Sequence, residues 1–301
     1  MSPSPILVTG ATGRQGGATA RALLAQGVPV RALVRDPGTE RAEAVRALGA
    51  ELGTGDLDDP ASLGPALKGV RGVFSVQTPD MNDFEGEAEW IRGRNLVDAA
   101  REAGVPQFVH TSVSGAGQHR AVPGWAEGRW RSMEHYFEMK AATLDYVREA
   151  GFAHWTVLKP AGFMDLFEAQ SFMFPRGVRG GLVTRVKPDT WLPLIGVDDI
   201  GATAATAFAD PQRLGGVEVE LAGDFLPMTR IAEVLSRAYG VELTAPDMTL
   251  EEAMAAGAPE FALQNDWHNE QGYPARPEHA RALGLKLTSF EDWAQAHLTA
   301  T

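Results

Sequence analysis

The run Val8-Thr9-Gly10-Ala11-Thr12-Gly13-Arg14-Gln15-Gly16-Gly17 constrains this chain more than any other stretch. Glycines 10, 13 and 16 form a G-x-x-G-x-x-G pattern between a short apolar run (residues 5–9) and a helical stretch (15–26) closed by Gly27. Such a turn leaves no room for a β-carbon and lets the main chain approach a diphosphate. It also opens a helix whose first N–H groups and dipole favour an anion. A glycine triplet by itself marks only a compact turn. Set inside a strand–helix–strand unit, it predicts a dinucleotide site.

The surrounding pattern agrees with that placement. Residues 28–34, 50–52, 72–76, 107–111 and 154–158 read as further strands, and 40–48, 60–67, 85–103 and 132–150 as the helices between them. Strands alternating with helices of this length call for right-handed crossovers, and therefore for an α/β fold: a Rossmann-like, doubly wound parallel sheet. Beyond residue 158 the alternation fades. Residues 161–194 mix aromatics with Gly and Pro; 197–209, 229–239, 250–256 and 289–297 look helical, and 217–221 looks like a strand. The expected division is a nucleotide-binding core over 1–157, to which the chain returns around 195–222, and a smaller irregular C-terminal α/β substrate region over 158–194 and 223–301.

Composition narrows the function classes. Asp and Glu number 39 against 27 Lys and Arg, a formal charge of -12, which opposes long-range attraction to nucleic acid or an anionic membrane surface. The absence of cysteine removes disulfides, thiolate metal sites and sulfur nucleophiles. The histidines show no metal-ligand spacing, so no metal is expected. The start, MSPSPILVTG, has neither a basic leader nor a long apolar stretch, and a cytoplasmic protein with no membrane span is expected.

The end of the second strand decides which dinucleotide is taken. It reads Arg31-Ala32-Leu33-Val34-Arg35-Asp36, with Val34 where an acid would accept a ribose 2′-hydroxyl and Arg35 directly after it. A guanidinium suits a 2′-phosphate, and Arg14 in the glycine loop is a second candidate for the same phosphate, so NADP(H) is expected over NAD(H). Asp56 and Leu57, past the third strand, are candidates for the adenine edge and face. Gln77, Thr78 and Pro79, past the fourth, lie on the same carboxyl edge of the sheet.

Tyr136 and Lys140 stand four residues apart on one predicted helix, so both leave the same face. Hydride transfer to a carbonyl builds charge on oxygen. A phenol can quench it by donating a proton, and a nearby ammonium is expected to lower the phenol's pKa from about 10 and to hold the nicotinamide ribose hydroxyls. A hydroxyl after the fifth strand would complete the set, with Thr111, Ser112 and Ser114 as candidates. The alternative keeps Lys140 as a ribose ligand and Tyr136 as an aromatic lining residue. Phe163 to Phe174 is rich in Phe and Met, with packing as its default role and a quinone-sized pocket as the bolder one. Asn265, Trp267 and His268 form a polar-aromatic segment, and Trp125 and Trp130 are either loop anchors or walls for a flat substrate.

These motifs resemble the atypical, NmrA-like branch of the short-chain dehydrogenase/reductase superfamily over nearly the whole chain. The resemblance is carried by TGATGRQGG at 9–17, RALVRDP at 31–37, Gly55-Asp56-Leu57-Asp58-Asp59 and HYFEMKAATLDYVRE at 135–149. It continues in Trp155-Thr156-Val157-Leu158-Lys159-Pro160 and Val197-Asp198-Asp199-Ile200-Gly201. It implies that Gly10, Thr12, Gly13, Arg14, Gln15 and Gly16 hold the nucleotide, that Lys140 meets the nicotinamide ribose, and that Pro160, Gly162 and Phe163 border the nicotinamide. The superfamily's serine position falls on Val113, between Ser112 and Ser114, a departure from the Ser-Tyr-Lys set. The branch contains reductases of quinone-like acceptors and also nucleotide-responsive regulators that bind partner proteins. Retention of Tyr136 favours an enzyme using NADPH and a small electron acceptor. A redox-sensing regulator with a protein partner is the alternative, and a homodimer would use a helix such as 85–103.

Overall fold

A computed structural model describes residues 4–80, 83–259 and 266–299. In chain order the elements are β1 (Ile6–Val8), α1 (Arg14–Ala25), β2 (Val30–Val34), α2 (Glu40–Ala47), β3 (Glu51–Thr54), α3 (Leu63–Leu67), β4 (Gly72–Val76) and α4 (Ala88–Glu102). Then come β5 (Gln107–Thr111), α5 (Arg131–Glu149), β6 (His154–Pro160), β7 (Gly162–Phe163), β8 (Trp191–Ile195), α6 (Val197–Ala209) and α7 (Pro211–Leu214). The chain closes with β9 (Val217–Leu221), β10 (Asp224–Pro227), α8 (Met228–Tyr239), α9 (Leu250–Ala255), α10 (Asp266–Glu270), α11 (Pro277–Ala282) and α12 (Phe290–His297).

The main sheet has the order β3-β2-β1-β4-β5-β6-β9, and the pairings from β3 across to β6 are parallel. This is the Rossmann-like doubly wound order expected from the alternation of strands and helices. Order reverses between β1 and β4, the place where open α/β sheets bind ligands at their carboxyl edge. The central strands read as near-continuous apolar runs because helices cover both faces. Ile6, Leu7, Val8, Val73, Phe74, Phe108 and Val109 are fully buried.

The chain divides into two compact units. The first runs to Arg120 and adds Glu134–Lys159 and Val197–Val219; the second holds Ala121–Met133, Pro160–Gly196 and the residues from Glu220 on. The segment Ala121–Met133, inside the expected core range of 1–157, therefore belongs to the second unit. There Trp125 and Trp130 both meet Trp267 edge-on, a pairing across distant sequence that spacing does not reveal. Asn265 lies outside the described residues.

Within the first unit α1 and α6 cross very closely. A β-carbon on Gly201 would come within 2.5 Å of the Ala18 carbonyl carbon and 2.8 Å of the Thr19 nitrogen, so only glycine permits this approach. Gly16, Gly17, Ala18 and Ala20 keep the facing side of α1 small. On the β6 side, Lys159 is fully buried and its ammonium meets Glu218 at 3.3 Å, a carboxylate that also pairs with Arg148.

The second unit carries its own three-stranded sheet, β10-β8-β7, antiparallel between β10 and β8 and parallel between β8 and β7. Its core gathers Met164, Phe167, Phe174, Met228, Ile231, Leu235, Tyr239, Phe290 and Trp293. The Phe- and Met-rich run from 163 to 174 is thus largely engaged in packing, and Tyr239 fixes it by donating to the Phe167 carbonyl at 2.8 Å. Among the described residues no helix is long and apolar enough to cross a membrane.

Candidate nucleotide and hydride-transfer site

The glycine turn has the geometry that its sequence demands. Gly10 sits at φ 60°, where only glycine is unstrained, and its missing β-carbon would lie 2.8 Å from Val76 Cγ1 on the neighbouring β4. The Gly13 N–H donates to the Gly10 carbonyl at 2.9 Å. Gly13 precedes α1 without a side-chain cap, leaving the first amides of that helix free of one. Gly16 admits no substituent, since a β-carbon there would stand 2.3 Å from backbone atoms of Gly10 and Thr9.

A cavity of about 690 Å³ opens along this edge of the first unit. Thr9, Gly10 and Thr12 line it from β1, Leu33 to Asp36 from β2, Gly55 to Asp58 from β3, and Val76, Gln77 and Thr78 from β4. These segments lie at the carboxyl ends of β1 to β4, and Thr39 and Arg41 at the start of α2 and Arg92 on α4 complete the lining. Of the residues named from sequence, Gly10, Thr12, Arg35, Asp56, Leu57, Gln77 and Thr78 face this cavity, whereas Arg14, Pro79, Thr111, Ser112, Tyr136 and Lys140 and the rest of the glycine turn are not among its lining residues. Arg14 is instead an exposed first residue of α1. The second guanidinium beside Arg35 is Arg41, from the first turn of α2, with the α2 cap Thr39 between them. Asp36, whose carboxylate would compete for a ribose, accepts the Gly38 N–H at 2.8 Å. Neither Arg35 nor Arg41 forms a salt bridge among the described residues.

One further residue absent from the sequence expectation adds a charge to the lining. Arg92 on α4 lines the cavity and grips Asp58 with two hydrogen bonds, at 2.8 and 2.9 Å, and this guanidinium holds the Asp58 carboxyl below its usual range. The pair pins the loop after β3 to α4, assisted by Asn95, which donates to the Leu57 carbonyl at 2.8 Å.

Lys140 and Tyr136 leave the same face of α5, as their spacing predicts. Lys140 is buried and forms an ion pair with Glu89, itself buried in the first turn of α4. Its ammonium also donates to the Gln77 carbonyl at 3.4 Å and lies 5.7 Å from the centre of the Tyr136 ring. Phe84 stacks against that ring, with centroids 6.3 Å apart. The expected lowering of the phenol pKa does not occur. Burial first, and then the Glu89 charge, push Tyr136 above the usual tyrosine value. The ammonium that was to activate the phenol is neutralised by a carboxylate that spacing could not foresee.

Below this group lies a polar stack. Ser75 Oγ meets His110 Nδ1 at 3.1 Å and Gln77 Nε2 at 3.1 Å, all three side chains buried. Burial, reinforced by the Lys140 charge, drops the His110 pKa to about 3, so the ring is neutral at ordinary pH. Thr111 donates to Gln15 Oε1 at 2.8 Å, which ties the start of α1 to the end of β5. Ser112 Oγ is buried and has no hydrogen-bond partner among the described residues, as does His110 Nε2. Pro160, Gly162 and Phe163 belong to the second unit, where Gly162 and Phe163 form β7 beside Leu194 and Ile195.

The cradle that excludes a β-carbon, the pair of guanidiniums and the orphaned Ser112 hydroxyl are all features that a phosphorylated dinucleotide would satisfy. Comparison with known proteins extends this picture. The model of the NmrA-like family matches residues 2–294. The chain is 29% identical to the NAD(P)H azoreductase of Xenophilus azovorans, over 98% of each chain. It is 32% identical to the NmrA-like family domain-containing oxidoreductase malD of Malbranchea aurantiaca, over 68% of this chain and 64% of that one. Among solved structures, Citrobacter sp. triphenylmethane reductase complexed with NADP(H) superposes with a TM-score of 0.79 at 23% identity, over 98% of this chain and 100% of that one. The NADPH complex of the Escherichia coli NADPH-dependent quinone oxidoreductase gives 0.76 at 22% identity, over 97% and 99%. The transcriptional regulator NmrA in complex with NADP gives 0.73 at 22%, over 99% and 96%. The three superpositions establish a shared fold, and the family match, across almost the full length, establishes more: this chain belongs to the NmrA-like family.

Proposed function

We propose that the chain is an NADP(H)-dependent oxidoreductase acting on a quinone or a similar small, carbonyl-like acceptor. The observation that carries this reading is the cavity running from the glycine turn to the Arg35 and Arg41 guanidiniums, with Val34 at the end of β2 where an acid would accept a ribose 2′-hydroxyl. The bound nucleotide supplies the hydride. Gly10, Thr12, Gly13 and Gly16, with the first amides of α1, take the diphosphate, and Gln15 braces that turn against Thr111. Arg35 and Arg41 hold the 2′-phosphate, Asp56 and Leu57 line the adenosine side, and Gln77 and Thr78 lie toward Lys140. Lys140 holds the nicotinamide ribose, and the Ser112 hydroxyl, buried without a partner among the described residues, supplies a further donor. Tyr136 orients the acceptor and keeps its own proton. A quinone can take its proton from water, so the reading does not need an acidic phenol. The names of the azoreductase and of the quinone oxidoreductase support the same class of acceptor.

Calorimetric titration with NADPH, NADP⁺, NADH and NAD⁺ tests the cofactor, and NADPH oxidation across quinones, aldehydes and imines tests the reaction. Binding of the phosphorylated pair at least about tenfold tighter is expected, as one charge-assisted contact supplies that factor. Equal binding of NADH, or none of either, overturns the reading. A second reading, a nucleotide-responsive regulator, is favoured by one observation: Lys140 is engaged by Glu89 and the Tyr136 phenol is pushed upward, a poor arrangement for donating protons. It predicts tight NADP(H) binding, no turnover in the same screen, and a nucleotide-dependent change in limited proteolysis.

A further inference from the structure

The group formed by Glu89, Lys140, Tyr136 and His110 is balanced in charge. Glu89 comes from α4, Lys140 and Tyr136 from α5, and His110 from β5. The carboxylate and the ammonium cancel, while His110 and Tyr136 are neutral at ordinary pH. Both charged side chains are buried, with side-chain exposures of 9% for Lys140 and 6% for Glu89, so neither charge is screened by water. Gln77 connects this group to the nucleotide cavity, because its carbonyl accepts from Lys140 and the residue itself lines the cavity. Any charge left on Lys140 would therefore act on whatever the cavity holds next to Gln77.

A nicotinamide ring is cationic when oxidised and neutral when reduced. A bare ammonium beside it repels only the oxidised form. We propose that Glu89 is a positioning and specificity-determining residue: by holding and cancelling the Lys140 ammonium, it lets the site take oxidised and reduced nucleotide with similar affinity. This rests on the reading that Lys140 meets the nicotinamide ribose, and it goes beyond that reading by assigning Glu89 the balance between the two redox states. A residue that served packing alone would affect both nucleotides alike.

The experiment measures Kd for NADP⁺ and NADPH by calorimetry in wild type, Glu89→Gln, Glu89→Asp and the double variant Glu89→Gln/Lys140→Met. Wild type is expected to bind the two forms within about threefold of each other. In Glu89→Gln the ratio shifts against NADP⁺ by about tenfold, the effect of one uncancelled charge in a buried site. Glu89→Asp, which keeps the charge, stays within about twofold of the wild-type ratio, and so does the double variant, which removes both charges. Equal losses for both nucleotides in Glu89→Gln overturn the proposal. If that variant does not fold, a wild-type ratio beyond about tenfold, or a displaced ratio in the double variant, overturns it instead. Wild type that binds neither nucleotide refutes the cofactor reading itself, a result distinct from either of these.

Discussion

Replacing Gly16 by alanine tests whether the turn is built around a missing side chain. The added β-carbon would lie 2.3 Å from the carbonyl carbon and oxygen of Gly10 and from the Thr9 oxygen, whereas ordinary contact begins at 3.4 Å. The difference, 3.4 − 2.3 = 1.1 Å, must be made up by moving α1 away from the turn, because all three obstacles are backbone. Overpacking of this kind costs about 1–3 kcal/mol, and rigid obstacles place it at the upper end. At about 2 °C per kcal/mol for a chain of this size, the melting temperature falls by roughly 5 °C. Displacing the first amides of α1 by about 1 Å loses hydrogen bonds to the diphosphate and costs nucleotide affinity at least about tenfold. The control is Gly64→Ala in the first turn of α3, where a β-carbon meets nothing within 4 Å and the change is expected to stabilise by about 0.5 kcal/mol. Thermal melts and NADPH titrations of the two variants decide the matter. A Gly16→Ala protein that binds NADPH within threefold of wild type would refute the claim that this backbone contact organises the site.

Arg35→Ala and Arg41→Ala are each expected to weaken NADPH binding about tenfold while leaving NADH within twofold, with a smaller salt dependence than wild type. Titrations at two ionic strengths check this, and equal losses for both coenzymes would remove these arginines from the phosphate site. Stability is expected to fall as pH drops below 6.5. His110 and His268 have folded-state pKa values of about 3 and about 4, so the unfolded chain binds more protons through that window. The slope approaches about 1.4 kcal/mol per pH unit for each such histidine; burial shifts His119 the same way, and His110→Asn should remove the share of one histidine in urea melts between pH 7.5 and 4.5.

Five of the first six strands were readable because each announces itself locally and is followed by a helix; β6 stood out as the apolar run after the long helix α5. The small second sheet was not. Its β7 is two residues long, β8 carries Pro193 in its middle and β10 ends on Pro227, so no segment has the composition of a strand, and only pairing across some thirty residues holds them. The site divides in the same way. Gly10, Gly13 and Gly16 are dictated by their own backbone, and the Tyr136–Lys140 spacing by one helical turn, so both were legible. Arg41 sits on a helix whose pattern reads as an ordinary solvated surface; its position shortly after Arg35 was the available signal. Glu89 was invisible for a different reason. An acid at the start of a helix is explained by the dipole alone, and nothing local reveals that this one is buried against a lysine of another helix.

The backbone leaves the first unit at 120–121, returns at 133–134, leaves again at 159–160, returns at 196–197 and departs finally at 219–220. Neither unit is a continuous piece of polypeptide. A gene fragment ending near residue 157 would lack α6, whose Gly201 lets it press on the helix that opens at the glycine turn, and would lack β9, the edge strand beside β6. The two units therefore cannot be exchanged between relatives as cassettes. Recombination within the family has to respect five junctions at once, and diversification of such a protein proceeds by point changes around the cavity more readily than by shuffling.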